Sequence, residues 1–397
     1  MLERLGMALS PEVVSAVDSN IADCSPELLA LSRKIHENPE LRFEEVKASA
    51  WLAEFLTSRG FSVERGLAKM PTAFRAECGK AGGPRIAILA EYDALPEIGH
   101  ACGHNLIATA AIGAFAAAAP LAEQLGGQVV ILGTPAEEGG GGKIKLIEAG
   151  AFDGLDAAMM FHPFDRDVLA HPALASIWLR FSFKGAPAHA AIAPHDGRSA
   201  LTACMDTFRL IDGQRVHFKD GVRVHGYITN GGQAVNIIPE LSSCEVSVRA
   251  RDGKELDRVR HIVERCARAA AMASDVELTV STQRGYQEMV NNMALARRFG
   301  AHLAAYGRVA REHDSSVGAG STDMGDVSHV VPSIHPWLAI VDEGEALCHQ
   351  RRFAQAAGEE RGFTSALVAA KALARTALDV ISDPALLAAV RAEWDAR

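Results

Sequence analysis

Over the first 160 positions, short unbroken apolar runs bounded by glycine or proline alternate with longer stretches of helical spacing. Residues 85–90 (RIAILA) follow Gly82-Gly83-Pro84 without polar alternation, which predicts a strand buried on both faces of a parallel sheet. Residues 128–132 and 157–161 share that character, and helical segments at 106–121 and 143–149 separate the three runs, giving βαβ grammar. The opening stretch to Gly60 reads as helical. Ser25-Pro26-Glu27 marks a start, and Leu29, Ile35, Leu41, Trp51, Leu52 and Phe55 supply apolar faces.

The middle of the chain changes period. Residues 177–183 (IWLRFSF) alternate as a half-exposed strand should, a helix is predicted over 198–211, and strands follow at 222–229 and 242–251. A helix over 254–273 and a strand over 276–283 complete the order β-α-β-β-α-β, a ferredoxin-like two-layer unit. A buried-strand pattern returns at 337–341, with a closing helix over 363–378. The expected architecture is therefore α/β: a mainly parallel sheet with helices on both faces, in two parts (1–174 and 287–397), interrupted by an inserted domain (175–286). No internal repeat is visible, and the only compositional bias is in the alanine-rich helices.

Composition narrows the function classes. At roughly 150 residues per domain, 397 residues suit two or three folding units, and 48% hydrophobic with 22% charged residues can build large cores. Lys and Arg number 40 against 49 Asp and Glu, a formal charge of −9, with no block of like charge, so nucleic acid is not an expected partner. The stretch 106–121 is mostly alanine and falls short of the roughly 20 apolar residues of a membrane span. The first six residues lack the pattern of an export signal, and seven cysteines at irregular positions read as reduced thiols, so a cytoplasmic protein with no membrane partner is expected.

Four polar clusters follow apolar strand candidates: Glu91-Tyr-Asp93 running on to His100-Ala-Cys102-Gly-His104-Asn105, then Pro135-Ala-Glu137-Glu138, then His162, then Cys348-His349. Ligands of open parallel sheets bind at the carboxyl ends of strands, so clusters far apart in sequence can converge on one crevice. Cys102 and His104, with Glu138, His162 and His349, offer mixed S, N and O donors, which favour zinc or a similar first-row ion over calcium or magnesium. Five donors exceed the needs of one catalytic ion and point to two ions sharing a bridging ligand.

The phrases at 90–96 (AEYDALP), 99–105 (GHACGHN), 133–139 (GTPAEEG) and 321–328 (STDMGDVS) resemble the signatures of a metallopeptidase family. That family holds aminoacylases, bacterial carboxypeptidases, auxin-conjugate amidohydrolases and p-aminobenzoyl-glutamate hydrolases, and the resemblance runs over essentially the whole chain. It implies that Cys102 bridges two divalent metal ions, zinc or manganese with cobalt able to substitute, and that His104, Glu138, His162 and His349 complete the ligands. It also implies Glu137 as general base and Asp93 as support for a ligand. Where relatives with a carboxylate bridge have a histidine, this chain has Glu91, and His104 is expected to replace it. Asn105 departs from the aspartate common in the amidohydrolase subfamily and points to the p-aminobenzoyl-glutamate and β-alanyl-dipeptide hydrolase branch. Cys348 beside His349 is a further departure, a second thiol near the metals.

In the inserted domain, the resemblance implies a lid on which His189 stabilises an oxyanion and Asn236 holds the substrate's carboxylate or carbonyl, with a homodimer formed through that domain. The implied reaction is hydrolysis of the amide bond of an N-acyl or N-aroyl amino acid, or a dipeptide-like small molecule, by a metal-activated water. Three rivals compete: a metal-dependent deaminase of an aromatic amine or amidine, a thiol hydrolase built on Cys102 and His104, and a non-catalytic metal-binding scaffold protein. The thiol hydrolase leaves Glu137, Glu138, His162 and His349 without a task, and a scaffold has no use for an unligated base. Arg198, Arg249 and Arg251 are candidate anchors for a substrate carboxylate.

Overall fold

The computed structural model describes residues 9–397; the six residues read for an export signal lie outside the described residues. In chain order the elements are α1 (Pro11–His36), α2 (Val46–Ser58), β1 (Val63–Arg65), β2 (Phe74–Gly79), β3 (Arg85–Ala90), α3 (His104–Ala122), β4 (Gln128–Gly133), α4 (Gly142–Glu148), β5 (Ala157–Met159) and β6 (His162–Phe164). Next come β7 (Ala175–Lys184), α5 (Ala200–Gln214), β8 (Arg223–Asn230), β9 (Leu241–Ala250), α6 (Gly253–Ala273) and β10 (Glu277–Arg284). The chain closes with α7 (Met293–Ala305), β11 (Ser333–Ile334), β12 (Trp337–Ala339), α8 (Arg351–Ala356), α9 (Glu360–Ser382) and α10 (Pro384–Asp395). Two compact units result: one of the chain up to Pro172 with Val290–Ala319 and Asp326–Arg397, the other of Ala173–Met289 with Gly320–Gly325.

The larger unit carries a six-stranded sheet in the order β1-β2-β4-β3-β5-β11. Its centre, β4-β3-β5-β11, is parallel, and β2 and β1 add an antiparallel edge. Strands β3 and β4 are buried almost throughout, as their unbroken apolar sequences require. Helix α3 is buried on nearly all sides and packs against α1 and α9. Small residues permit this: a Cβ on Gly113 would come within 2.9 Å of Leu28 on α1. Among the described residues α3 is the one helix long and apolar enough to cross a membrane, its 19 residues exceeding the expected 106–121, and 83% of its most apolar window is buried inside the protein.

The expected helix start at Ser25-Pro26 is corrected: α1 begins after Ser10, whose Oγ accepts from Val13 N, with Pro11 in the first turn, where its missing N–H costs nothing. Val17, Ile21, Cys24, Leu28, Leu31 and Ile35 form one continuous buried stripe, and that burial outweighs the hydrogen bond removed at Pro26. The expected strand at 337–341 exists only as Trp337–Ala339, and it pairs with β6 in a two-stranded ribbon outside the main sheet.

The second unit has a four-stranded antiparallel sheet in the order β10-β7-β9-β8, with α5 and α6 packed on it. Ser199 and Asp252 cap the two helices. Phe181, Phe183, Val246, Val248, Val259 and Val263 lie in a core of the unit's own.

Candidate metal centre

The loop between β3 and α3 sets the geometry of the site. Gly103 has φ 71°, and a Cβ there would come within 2.8 Å of Pro163 Cγ, so the position needs glycine on two counts. His104, the first residue of α3, is buried. Its Nδ1 lies 2.9 Å from the Asp93 carbonyl and 3.0 Å from Asp93 Oδ1, so Nδ1 carries a proton and donates, leaving Nε2 as the donor atom for a cation. The other oxygen of Asp93 accepts from Glu138 N at 2.9 Å, so one buried carboxylate orients two candidate ligands. Burial opposes the charged form of His104, but the adjoining Asp93 carboxylate overrides it and holds the imidazole well above its ordinary range.

The loop after β4 brings in Glu137 and Glu138. Ala136 has φ 62°, and its N–H donates to Glu45 Oε1 at 2.9 Å; Phe43 N donates to the same oxygen at 2.8 Å. His162 opens β6 with Nδ1 2.7 Å from the Pro163 carbonyl, which turns Nε2 outward; burial pushes its pKa down to about 4. His349, at φ 68°, donates its backbone N–H to the Ala101 carbonyl at 3.0 Å and carries Nε2 to 3.5 Å from Glu138 Oε1.

The ligand atoms of Cys102, His104 and His162 lie within 4.8 Å of one another, as do those of Cys102, Glu138 and His349. All five expected donors are thus brought together, in two groups that share the Cys102 sulfur. Glu137 stands within the same distance of His104 and Glu138. Three buried atoms here have no hydrogen-bond partner: His104 Nε2, Glu138 Oε1 and Glu91 Oε2. Electron-rich atoms buried together without donors cost free energy that a cation removes, so the residues fit a pair of first-row divalent ions. The neighbouring Cys348 thiol and burial hold the Cys102 thiol well above its ordinary range until a cation takes the proton's place.

Asn105 is buried, its Nδ2 donating to Ser32 Oγ at 3.1 Å and to the Ala357 carbonyl at 2.9 Å. His189 and Asn236 lie in the second unit, on neighbouring segments joined by a bridge between His189 and Ile237, Asn236 standing in the turn just before it. Both are exposed. His189 Nδ1 accepts from Ala191 N and Ile192 N at 3.2 Å each, which leaves Nε2–H as a donor. Of the candidate anchors, Arg198 pairs with Asp275 at 2.8 Å and Arg249 reaches Ser321 Oγ at 3.5 Å.

Two residues near the donors escaped the sequence reading. Lys143, fully buried, lies 2.5 Å from Glu91 Oε1. His335, with Nε2 buried and unpartnered, sets its ring 5.3 Å from that of His162, and burial drives its pKa well below the ordinary value. Cys348, expected from the sequence as a second thiol near the metals, adjoins the Cys102 sulfur. For His335 a signal existed, since it directly follows β11; for Lys143, one residue in a glycine-rich helix start, none did.

Residues 87–375 match the model of peptidase family M20/M25/M40. The chain is 40% identical over 391 residues to the Xaa-Arg dipeptidase of Mus musculus, covering 94% of this chain and 90% of that protein. It is 37% identical to one chain of the p-aminobenzoyl-glutamate hydrolase of Escherichia coli, over 66% of this chain and 58% of that one. Among solved structures, the YXEP protein of Bacillus subtilis, a dinuclear metal binding peptidase, shares the fold with a TM-score of 0.70 at 21% identity, covering 91% of this chain and 99% of the other. An aminobenzoyl-glutamate utilization protein from Klebsiella pneumoniae gives 0.71 at 18% identity, covering 91% and 98%.

Proposed function

The chain belongs to peptidase family M20/M25/M40, and from that membership we propose that it is a dinuclear-metal amidohydrolase that cleaves the amide bond of a dipeptide or of an N-acyl or N-aroyl amino acid. The observation that carries the reading is the pair of donor groups sharing one sulfur, with a carboxylate, Glu137, beside them. The activities that name the relatives, Xaa-Arg dipeptidase and p-aminobenzoyl-glutamate hydrolase, support the substrate class.

Cys102, His104 and His162 would hold one ion, and Cys102, Glu138 and His349 the other. Bound there, zinc, manganese or cobalt supplies Lewis acidity, which lowers the pKa of a water and polarises the amide carbonyl. Glu137 takes a proton from the attacking water and returns it to the departing nitrogen, a role typically worth about 100- to 10,000-fold. Asp93 keeps His104 in the tautomer that presents Nε2 and steadies the Glu138 backbone. His189 donates through Nε2–H to the developing oxyanion, and Asn236 holds the substrate's carboxylate or carbonyl.

The reading extends to a cytoplasmic homodimer joined through the second unit. Edge strand β8, with exposed Tyr227 and Ile228, supports that interface, and sedimentation analysis reads the oligomeric state.

Glu137→Gln tests the mechanism. Expected is a fall in turnover of about 100-fold or more on an Xaa-Arg dipeptide or aminobenzoyl-glutamate, with metal content unchanged by mass spectrometry. Near-normal turnover removes Glu137 as the base, and release of free ammonia in place of an amino acid replaces amide hydrolysis with deamination.

A further inference from the structure

Glu91 directly follows β3 and is buried, with its two oxygens in opposite circumstances. Oε1 accepts from Lys143 Nζ at 2.5 Å, the ammonium itself being fully buried on α4. Oε2 is buried, makes no hydrogen bond and lies 3.5 Å from His104 Nε2, which makes none either. Because His104 Nδ1–H is committed to Asp93, the neutral ring presents its lone pair at Nε2. A carboxylate oxygen and an imidazole lone pair facing each other out of reach of solvent repel, and the contact is relieved only by a cation between them or by a proton on Nε2. The proton satisfies the pair alone. A metal ion on Nε2 satisfies it too: the ligand atoms of Cys102 and His162 lie within 4.8 Å of that of His104, and Glu91, outside that close group, reaches the ion from its place 3.5 Å from Nε2.

We propose that Glu91 is a sixth protein donor of the metal centre, bonding through Oε2 the ion held by Cys102, His104 and His162, while Lys143 positions it through Oε1. The proposal rests on the dinuclear reading above and changes the expectation that His104 merely replaces a ligand at the Glu91 position. The ion held by the two histidines then has four protein donors, against three for the ion held by Glu138 and His349. The latter keeps the more open coordination sphere, the arrangement expected of the ion that receives substrate. Lys143 offsets the added negative charge and fixes which carboxylate oxygen faces the ion, as partners of ligating carboxylates do.

The test is a cobalt titration of metal-free protein, read by absorption spectroscopy and calorimetry, on wild type, Glu91→Gln and Lys143→Met. Two sites are expected in the wild type. In Glu91→Gln the dissociation constant of one site should rise about 10- to 100-fold with a changed cobalt spectrum, while the other site holds to within about threefold. Lys143→Met should weaken the same site by a smaller factor. Two wild-type affinities and an unaltered spectrum in Glu91→Gln overturn the Glu91 assignment and leave the dinuclear reading standing; fewer than two ions in the wild type overturn both. A crystal structure of zinc-loaded wild-type protein decides the matter even where a variant fails to fold. Glu91 Oε2 at about 2.0–2.2 Å from an ion supports the proposal, and Oε2 beyond bonding reach sinks it.

Discussion

Glu45 is a buried carboxylate that accepts backbone N–H groups and so holds the segment carrying Glu137 and Glu138. Burial, the largest influence, pushes its pKa from the ordinary 4.5 up to about 7, against the pull of its own backbone N–H and that of Phe43. The folded state therefore binds this proton more tightly than the unfolded chain does. The stabilisation that results is fully present below about pH 4.5 and is lost as the pH rises through about 7. At about 1.4 kcal/mol per pH unit, the whole effect is about 3 kcal/mol or less. Glu45→Gln keeps an oxygen acceptor without the titration. In metal-free protein, denaturant melts at pH 5 and pH 8 should show wild type losing stability relative to Glu45→Gln as the pH rises. A constant difference between the two proteins rules the proposed titration out.

At the scale of elements, the loop between β3 and α3 is fixed by backbone demands as much as by its ligands. In Gly103→Ala a methyl group meets Pro163 in a left-handed conformation, so β6 and α3 must separate. Such strain costs about 1–3 kcal/mol, and because Pro163 follows His162, metal affinity should fall together with the melting temperature. A variant that melts and loads metal like wild type overturns this account of the loop. The same elements show how far the sequence could be read. Unbroken apolar runs predicted β3, β4 and β5, and alternation in the middle of the chain predicted all four strands of the second unit close to their observed ends. The antiparallel pair β1 and β2 went unread, since short strands with charged residues such as Glu64, Arg65 and Glu77 carry little period. The interior Pro26 misled because a helix boundary is a local signal, whereas the stripe that overrides it runs from Val17 to Ile35. The donors were legible as residue types placed after strands. Lys143 was not, because what brings it to the site is packing between segments remote in sequence.

Over the whole molecule, the donors come from the ends of several elements, and bound ions would tie those ends together. A ligand that binds only the folded state stabilises by about 2.7 kcal/mol when present at 100 times its dissociation constant. Removing the metals with a chelator should lower the melting temperature by several degrees and abolish amidase activity, and zinc, manganese or cobalt should restore both; insensitivity of both to chelation contradicts the metal reading. Part of the centre is also a contact between chain regions made far apart in time: the amide of His349 bonds to the carbonyl of Ala101, and both residues stand at or beside candidate ligands. During synthesis, Cys102 emerges from the ribosome long before His349 does. On the proposed ligand set, a nascent chain can offer a thiol and two imidazoles to one cation, but the second cation has no complete seat until His349 has been translated. On that proposed set, full loading waits for the segment that carries His349, and a product truncated before it can hold at most half of its complement.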